Sequence, residues 1–339
     1  MNHQRGSNSH ILFTSLRIAN EKRQNSSMFL IVCESMDAVP AAFVESVCLC
    51  LDRDSIRESC KILSRWGKLS SSSFRKIHTL WVFVYNKNKL YAAAQPALSR
   101  FRSLEKAVPL HSVSPRFVNR FHIEPATWIV QGLPSSWKEI TLDQLQQLAR
   151  FIRPTTEQTH PVRYNDESYN KLWLEGSIAT TEFLSMRLPV NSVNLWIDGS
   201  DDIEAVDTFL EHAGPLYVMD FHITHTLKQS TVDAMIDKFV PADGGFFGLG
   251  RDTRLTRDQL ERLVLKCEMF EKKVRFVVHP EGATSSSKVT DFFDFDKHYS
   301  TKKFKHKGFI ATRDGARLQV CVEYGRWNQL DWMWFQRQK

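Results

Sequence analysis

The sequence predicts an α/β protein: a short helical element, then a long array of alternating strands and helices that closes on a β-hairpin. Three observations carry that expectation. Between residues 36 and 70, apolar positions recur at helical spacing around short polar breaks. From Thr141 onward, helix-start signals alternate with runs of strand formers. Near the end, segments 309–313 and 317–323 flank Asp314-Gly315, a pair whose positive dihedrals suit a tight hairpin turn.

Composition sets the frame for these elements. The chain has 339 residues, 42% hydrophobic and 24% charged, values of a globular protein able to bury a substantial core in one large domain or two ordinary ones. Its 23 Phe and 9 Trp favour cores and interfaces over disorder. A net charge of +7 is modest for this length and does not select nucleic acid as a partner. The six cysteines show neither disulfide nor zinc spacing, so reduced thiols and a cytoplasmic or nuclear setting are expected. Residues 28–33 are too short an apolar run to span a bilayer, and 11–18 lack the apolar centre of a secretory signal.

Residues 1–35 are rich in Asn, Ser, Gln and basic side chains without a sustained period, and are expected to form a flexible N-terminal tail that adds little to function. Order begins near Met36. Pro40 suits the first turn of a helix, where its missing N–H costs nothing. Phe43, Val44, Val47 and Leu51 then share one helical face, and Asp52, Asp54 or Ser55 can cap a second helix. Helices this short cannot bury their faces in one another alone, so their apolar surface must meet either the rest of the chain or a partner.

Val39-Pro40, Leu51-Asp52, Ile56 and Arg65-Trp66-Gly67-Lys68-Leu69 fall in the order and spacing of an F-box, and the stretch resembles that motif. Ala42 stands where the family usually has Glu, and Leu63 where it often has Cys. The resemblance implies docking onto a Skp-type adaptor of a cullin-RING ubiquitin ligase. It names Pro40, Phe43, Val44, Val47, Leu51, Ile56, Leu63 and Trp66 as the adaptor-binding set.

A polar break at 70–73 separates this element, residues 36–70, from an α/β substrate-recognition region over 79–339. Segment 79–85 is dense in strand formers and is followed by a turn at 86–89, a predicted hairpin. The proline-bearing stretch 96–137 reads as an irregular connection with short strands at 117–123 and 127–130. ThrLeuAspGlnLeu at 141–145 is echoed by ThrArgAspGlnLeu at 256–260, each a helix start with Thr as N-cap and an acid in the first turn. Thr231 and Thr181 open looser copies. Strand-like runs at 172–174, 193–197, 216–222, 246–249 and 274–278 lie between.

Strand and helix thus alternate at roughly 22 to 30 residues, in the range of solenoid repeats. The pattern resembles the irregular leucine-rich repeats that often follow an F-box, without their tight Leu-x-x-Leu-x-Leu-x-x-Asn signature. A curved parallel sheet with outer helices is expected, with a compact α/β layer as the alternative. The Met-Asp-x-Val-Pro opening, helical element, strand–helix middle and aromatic β tail together resemble the nematode-expanded set of F-box and F-box-associated proteins, whose implied role is substrate reception.

Other constellations point to simpler roles. The glycine-rich run 243–250 lacks the spacing of a phosphate loop or dinucleotide fingerprint and reads as a strand entered through a turn. His222 and His225 have no Glu or Cys nearby to complete a metal site. Asp291, Asp294 and Asp296 are interleaved with Phe292, Phe293 and Phe295, which suits a surface turn anchored by aromatics rather than an opposed catalytic pair. No catalytic centre, metal or cofactor is expected. The basic run 297–307, with Lys302, Lys303, Lys305 and Lys307 at its centre, could meet an acidic or phosphorylated partner more readily than nucleic acid. The expected function is therefore a non-catalytic substrate receptor of a Skp/cullin/F-box-type ligase. The alternative is a protein- or RNA-binding module without ligase coupling.

Overall fold

The computed structural model describes residues 39–85, 89–97, 104–126, 132–152, 164–165, 168–176, 180–198, 202–305 and 308–337. The expected tail 1–35, the expected strand 127–130 and Lys307 lie outside these residues. The chain divides into two compact units, Met1–Arg75 and Lys76–Lys339.

The described part of the first unit is built on three helices: α1 (Ala41–Cys50), α2 (Arg53–Ser59) and α3 (Arg65–Lys76). Pro40 sits at the N-cap of α1 rather than inside its first turn. Asp52 caps α2, its carboxylate accepting from the Ser55 amide at 2.9 Å and from the Ser55 hydroxyl at 2.6 Å. Gly67 marks a close approach at the start of α3, where a Cβ would lie 1.9 Å from the Ile62 carbonyl oxygen. Val44, Cys48, Ile56, Trp66 and Phe74 are buried. Cys48 of α1 lies near Ser70 and Ser73 of α3, and burial pushes its thiol pKa up.

The second unit is one mixed sheet of fourteen strands, in the order β11-β12-β13-β14-β10-β8-β7-β6-β5-β3-β1-β2-β4, with β9 (Arg254–Leu255) beside β10. Its centre is parallel: β1 (His78–Tyr85), β3 (Val118–Pro125), β5 (Lys171–Glu175), β6 (Ser192–Ile197), β7 (Val218–Ile223), β8 (Phe246–Leu249) and β10 (Arg275–Pro280) lie side by side in chain order. Antiparallel strands flank it. β2 (Lys89–Pro96) and β4 (Lys138–Ile140) extend one edge. β14 (Leu330–Gln336), β13 (Leu318–Tyr324), β12 (Gly308–Thr312) and β11 (Thr301–Lys305) extend the other.

Parallel neighbours require crossovers, and here helices supply them. They are α5 (Thr180–Ser185), α6 (Ile203–His212), α7 (Gln229–Lys238) and α8 (Arg257–Phe270), with α4 (Leu142–Ala149) before β5. Consecutive helices from α5 to α8 pack on one another, as same-handed crossovers between strands added in one direction demand. Acids tie that layer together. Asp202 accepts from Thr181 at 2.6 Å, Asp207 accepts from Thr231, and Asp233 accepts from Gln259 at 3.1 Å and Arg262 at 2.8 Å.

The two strong capping signals form as read. Thr141 and Thr256 each accept from the amide of the Gln three residues on, and that Gln side chain accepts from the Thr amide in return. Thr231 and Thr181 do not cap: Lys228 stands at the N-cap of α7, and both threonines instead give their hydroxyls to the acids just named.

Strand alternation divides the sheet into two faces. Leu172, Leu174, Val193, Leu195, Ile197, Met219, Phe221, Ile223, Phe247, Leu249, Phe276 and Val278 form the main core with Phe183, Phe209, Met235 and Leu263 of the helices. The intervening residues face the other way. At the C-terminal end, Phe293 and Phe295, beside the short helix α9 (Phe295–His298), pack around Trp332, so the aspartates between them are exposed while the aromatics anchor the segment. The β12–β13 hairpin turns at Gly315, φ +73°.

Candidate functional site

The residues named by the F-box resemblance fall into two groups. Val44, Ile56 and Trp66 are at most 1% exposed. Their bulk fills the interior. Pro40 is exposed, Phe43 is 41% exposed, Leu63 is 99% exposed, and Val47 and Leu51 are half-buried. Residues 40, 43, 47 and 51 recur at spacings of three and four, one stripe along α1, while Val44 and Cys48 define its buried side. Among the described residues, this second apolar stripe is open at Pro40 and Phe43 and partly covered at Val47 and Leu51, and the open part is left for something else.

The basic run is less open than its sequence implies. Lys297 Nζ lies 2.9 Å and His298 Nε2 3.1 Å from the Glu261 carboxylate, and these hydrogen bonds hold the Glu261 pKa below the ordinary carboxylate value. Lys302 pairs with Asp296. Glu261, distant in sequence, and Asp296, just before the run, thus neutralise part of it. Lys303 and Phe304 are exposed on β11, and the backbone of Lys305 ends that strand.

A surface that sequence reasoning missed is the face of β5 to β8 opposite α5 to α8. Trp173 and Glu175 of β5, Asn194 and Trp196 of β6, Asp220 and His222 of β7, and Phe246 and Gly248 of β8 share that face by strand alternation and register. Trp196 is 46% exposed. Its indole lies 4.6 Å, centroid to centroid, from the His222 ring. His222 Nε2 is 3.0 Å from Asp220 Oδ1, and Asn194 Nδ2 donates to Asp220 Oδ2 at 3.4 Å. Gly248 makes room for this arrangement: a Cβ there would stand 2.7 Å from both Asp220 Oδ1 and the Phe246 ring.

His222, weighed in the sequence as half of a metal pair, is therefore the neighbour of a carboxylate and an indole, and His225 lies beyond the end of its strand. The available signal was the alternation itself, since Asn194, Trp196, Asp198 and then Asp220, His222 occupy every second position between apolar residues. Further along the same face Arg275 and Asp331 form a two-pronged pair at 2.9 and 2.6 Å.

A groove beside the C-terminal end of α8 is lined by Glu268, Met269, Arg313, Asp314, Leu318 and Trp334. Its carboxylate is already engaged, because Glu268 accepts from Trp334 Nε1 at 2.8 Å and from the Tyr299 hydroxyl. Among the described residues, no group of three or more His, Cys, Asp or Glu side chains is placed to hold a metal ion, and no helix is long and apolar enough to cross a membrane. No family model, curated protein or solved structure matches the chain.

Proposed function

We propose that this protein is a non-catalytic substrate receptor: the helical element docks onto a Skp-type adaptor of a cullin-RING ligase, and the α/β unit presents a target. The reading combines the ordered F-box resemblance of residues 39–69 with one observation, the second, uncovered apolar stripe of α1 at Pro40 and Phe43, together with the fully exposed Leu63. On this reading the strand–helix array from β3 to β10 is of the irregular leucine-rich-repeat type that often follows an F-box. The protein contributes no chemistry. It raises the effective concentration of a target beside a ubiquitin-charged enzyme.

The test uses the double variant Phe43→Ala/Leu63→Ala. Leu63→Ala, at a fully exposed position, should alter stability by no more than about 0.5 kcal/mol, and Phe43→Ala, at a position 41% exposed, by about 1–2 kcal/mol. Ile56→Ala, in the interior, should cost about 2–5 kcal/mol. Co-purification with a Skp-type adaptor should fall at least about tenfold for the double variant, the equivalent of about 1.4 kcal/mol. Equal recovery of the adaptor by wild type and a folded double variant rejects the proposal. Salt-sensitive RNA retention without adaptor would favour the uncoupled binding module instead.

A further inference from the structure

We propose that the sheet face around Trp196 binds an arginine- or lysine-bearing segment of the target protein, with the cationic side chain laid over the indole. This deepens the target-presenting role and rests on it. The chain carries a net charge of +7, yet the described surroundings of Trp196 are acidic. Glu175 is its register partner on β5, Asp198 is the first residue past the end of β6, and Asp220 lies diagonally across on β7. His222, the register partner on the other side, is the one titratable base among these neighbours, and it is already turned to Asp220.

The nearest lysine on this face of β5, Lys171, is paired with Glu124 at 3.4 Å, and Arg275 is paired with Asp331, so neither cancels the local negative charge. Asp220 keeps acceptor capacity beyond its two neighbours, since a carboxylate offers about four lone-pair sites. Asp198 is exposed and Glu175 half-exposed.

An exposed indole beside carboxylates attracts a cation twice over, through the ring quadrupole and through charge. The site fits a polypeptide better than a small cation. Trp196 presents its ring from the open face of a sheet, whereas small ligands are held in concave pockets that enclose most of their surface. Sheet register also sets Trp173, whose ring Lys171 Nζ already overlies at 5.7 Å, Trp196 and Phe246 on one face of β5, β6 and β8, with β7 between the last two, a breadth suited to a run of residues. The acids select the sign of the partner, and the indole selects a cation that can shed water, which favours guanidinium over ammonium.

The experiment measures fluorescence anisotropy of the full chain with three labelled Gly/Ser peptides carrying three Arg, three Lys or three Glu. The expected order is Arg, then Lys, with no binding of the Glu peptide. Trp196→Ala and Trp196→Leu should each weaken Arg-peptide binding about tenfold, and Trp196→Phe less, because Leu keeps apolar area without a π face. Glu175→Gln/Asp220→Asn should weaken it about three- to tenfold and flatten its salt dependence. Thermal melts establish that the variants fold. Absence of binding by wild type, unchanged binding by a folded Trp196→Leu, or preference for the Glu peptide overturns the inference. Adaptor recovery is measured on the same proteins. Its loss in wild type with peptide binding intact sinks the ligase reading alone, and retained recovery in Trp196→Ala with peptide binding lost supports both.

Discussion

His279 is 4% exposed in β10, and desolvation first, then the charge of Arg254 on the neighbouring β9, holds its pKa below the ordinary 6.5. The unfolded chain therefore binds more protons than the folded one as pH falls through the unfolded value. Stability rises with pH in that window and is lost progressively below about pH 6.5. Urea melts at pH 7.5 and 5.5 should show wild type losing stability at the lower pH, and His279→Gln should lose less. Gly67 is a second case in which a single residue is dictated by its surroundings. It stands where the Ile62 carbonyl leaves no room for a Cβ. The sequence displays both residues, but only the folded neighbours give the histidine its direction of shift and the glycine its necessity.

Helix starts and strand alternation were the most legible features at the scale of elements, because both are local. The Thr-x-x-Gln pairs at 141 and 256 carry their own hydrogen-bond partners, and both boxes form. Thr256→Ala should accordingly cost about 0.5–2 kcal/mol in chemical denaturation, with no change in the solvent-exposed surface groups. A finding within experimental error of zero would mean that packing of α8 alone holds its end. Thr231 was misread as a cap because a threonine followed by an acid looks the same in sequence whether its hydroxyl meets its own backbone or Asp207 on the previous helix. Helix α1 shows the same limit. Phe43, Val44, Val47 and Leu51 read as one apolar face, yet Val44 turns inward while Phe43 stays exposed. Periodicity places a residue on an arc of the helix, and neighbouring elements decide which part of the arc is covered.

In the whole molecule, the sheet's chain-ordered parallel centre is closed by an antiparallel end anchored on aromatic packing. Trp332 is fully buried, stacked with Phe276 and Phe295 and edge-on to Phe293. Trp332→Ala should cost about 3–5 kcal/mol, read as a lower denaturation midpoint, and a loss under about 1 kcal/mol would mean that this cluster does not anchor β14. The basic run illustrates the same dependence on distance. Lys297 and His298 have Asp296 beside them in the chain, yet it is Glu261 from α8 that meets them in space, while Asp296 turns to Lys302.

The amino-acid sequence by itself determined the α/β class, the succession of strands and helices, the paired capping boxes and the C-terminal hairpin. Each rests on residues within a turn or a pleat of one another. Tertiary structure alone decided which residues of β5 to β8 lie opposite α5 to α8, and that Glu175 and Asp220 gather about Trp196. Those outcomes depend on register between strands separated by some twenty residues or more, and no local pattern encodes it.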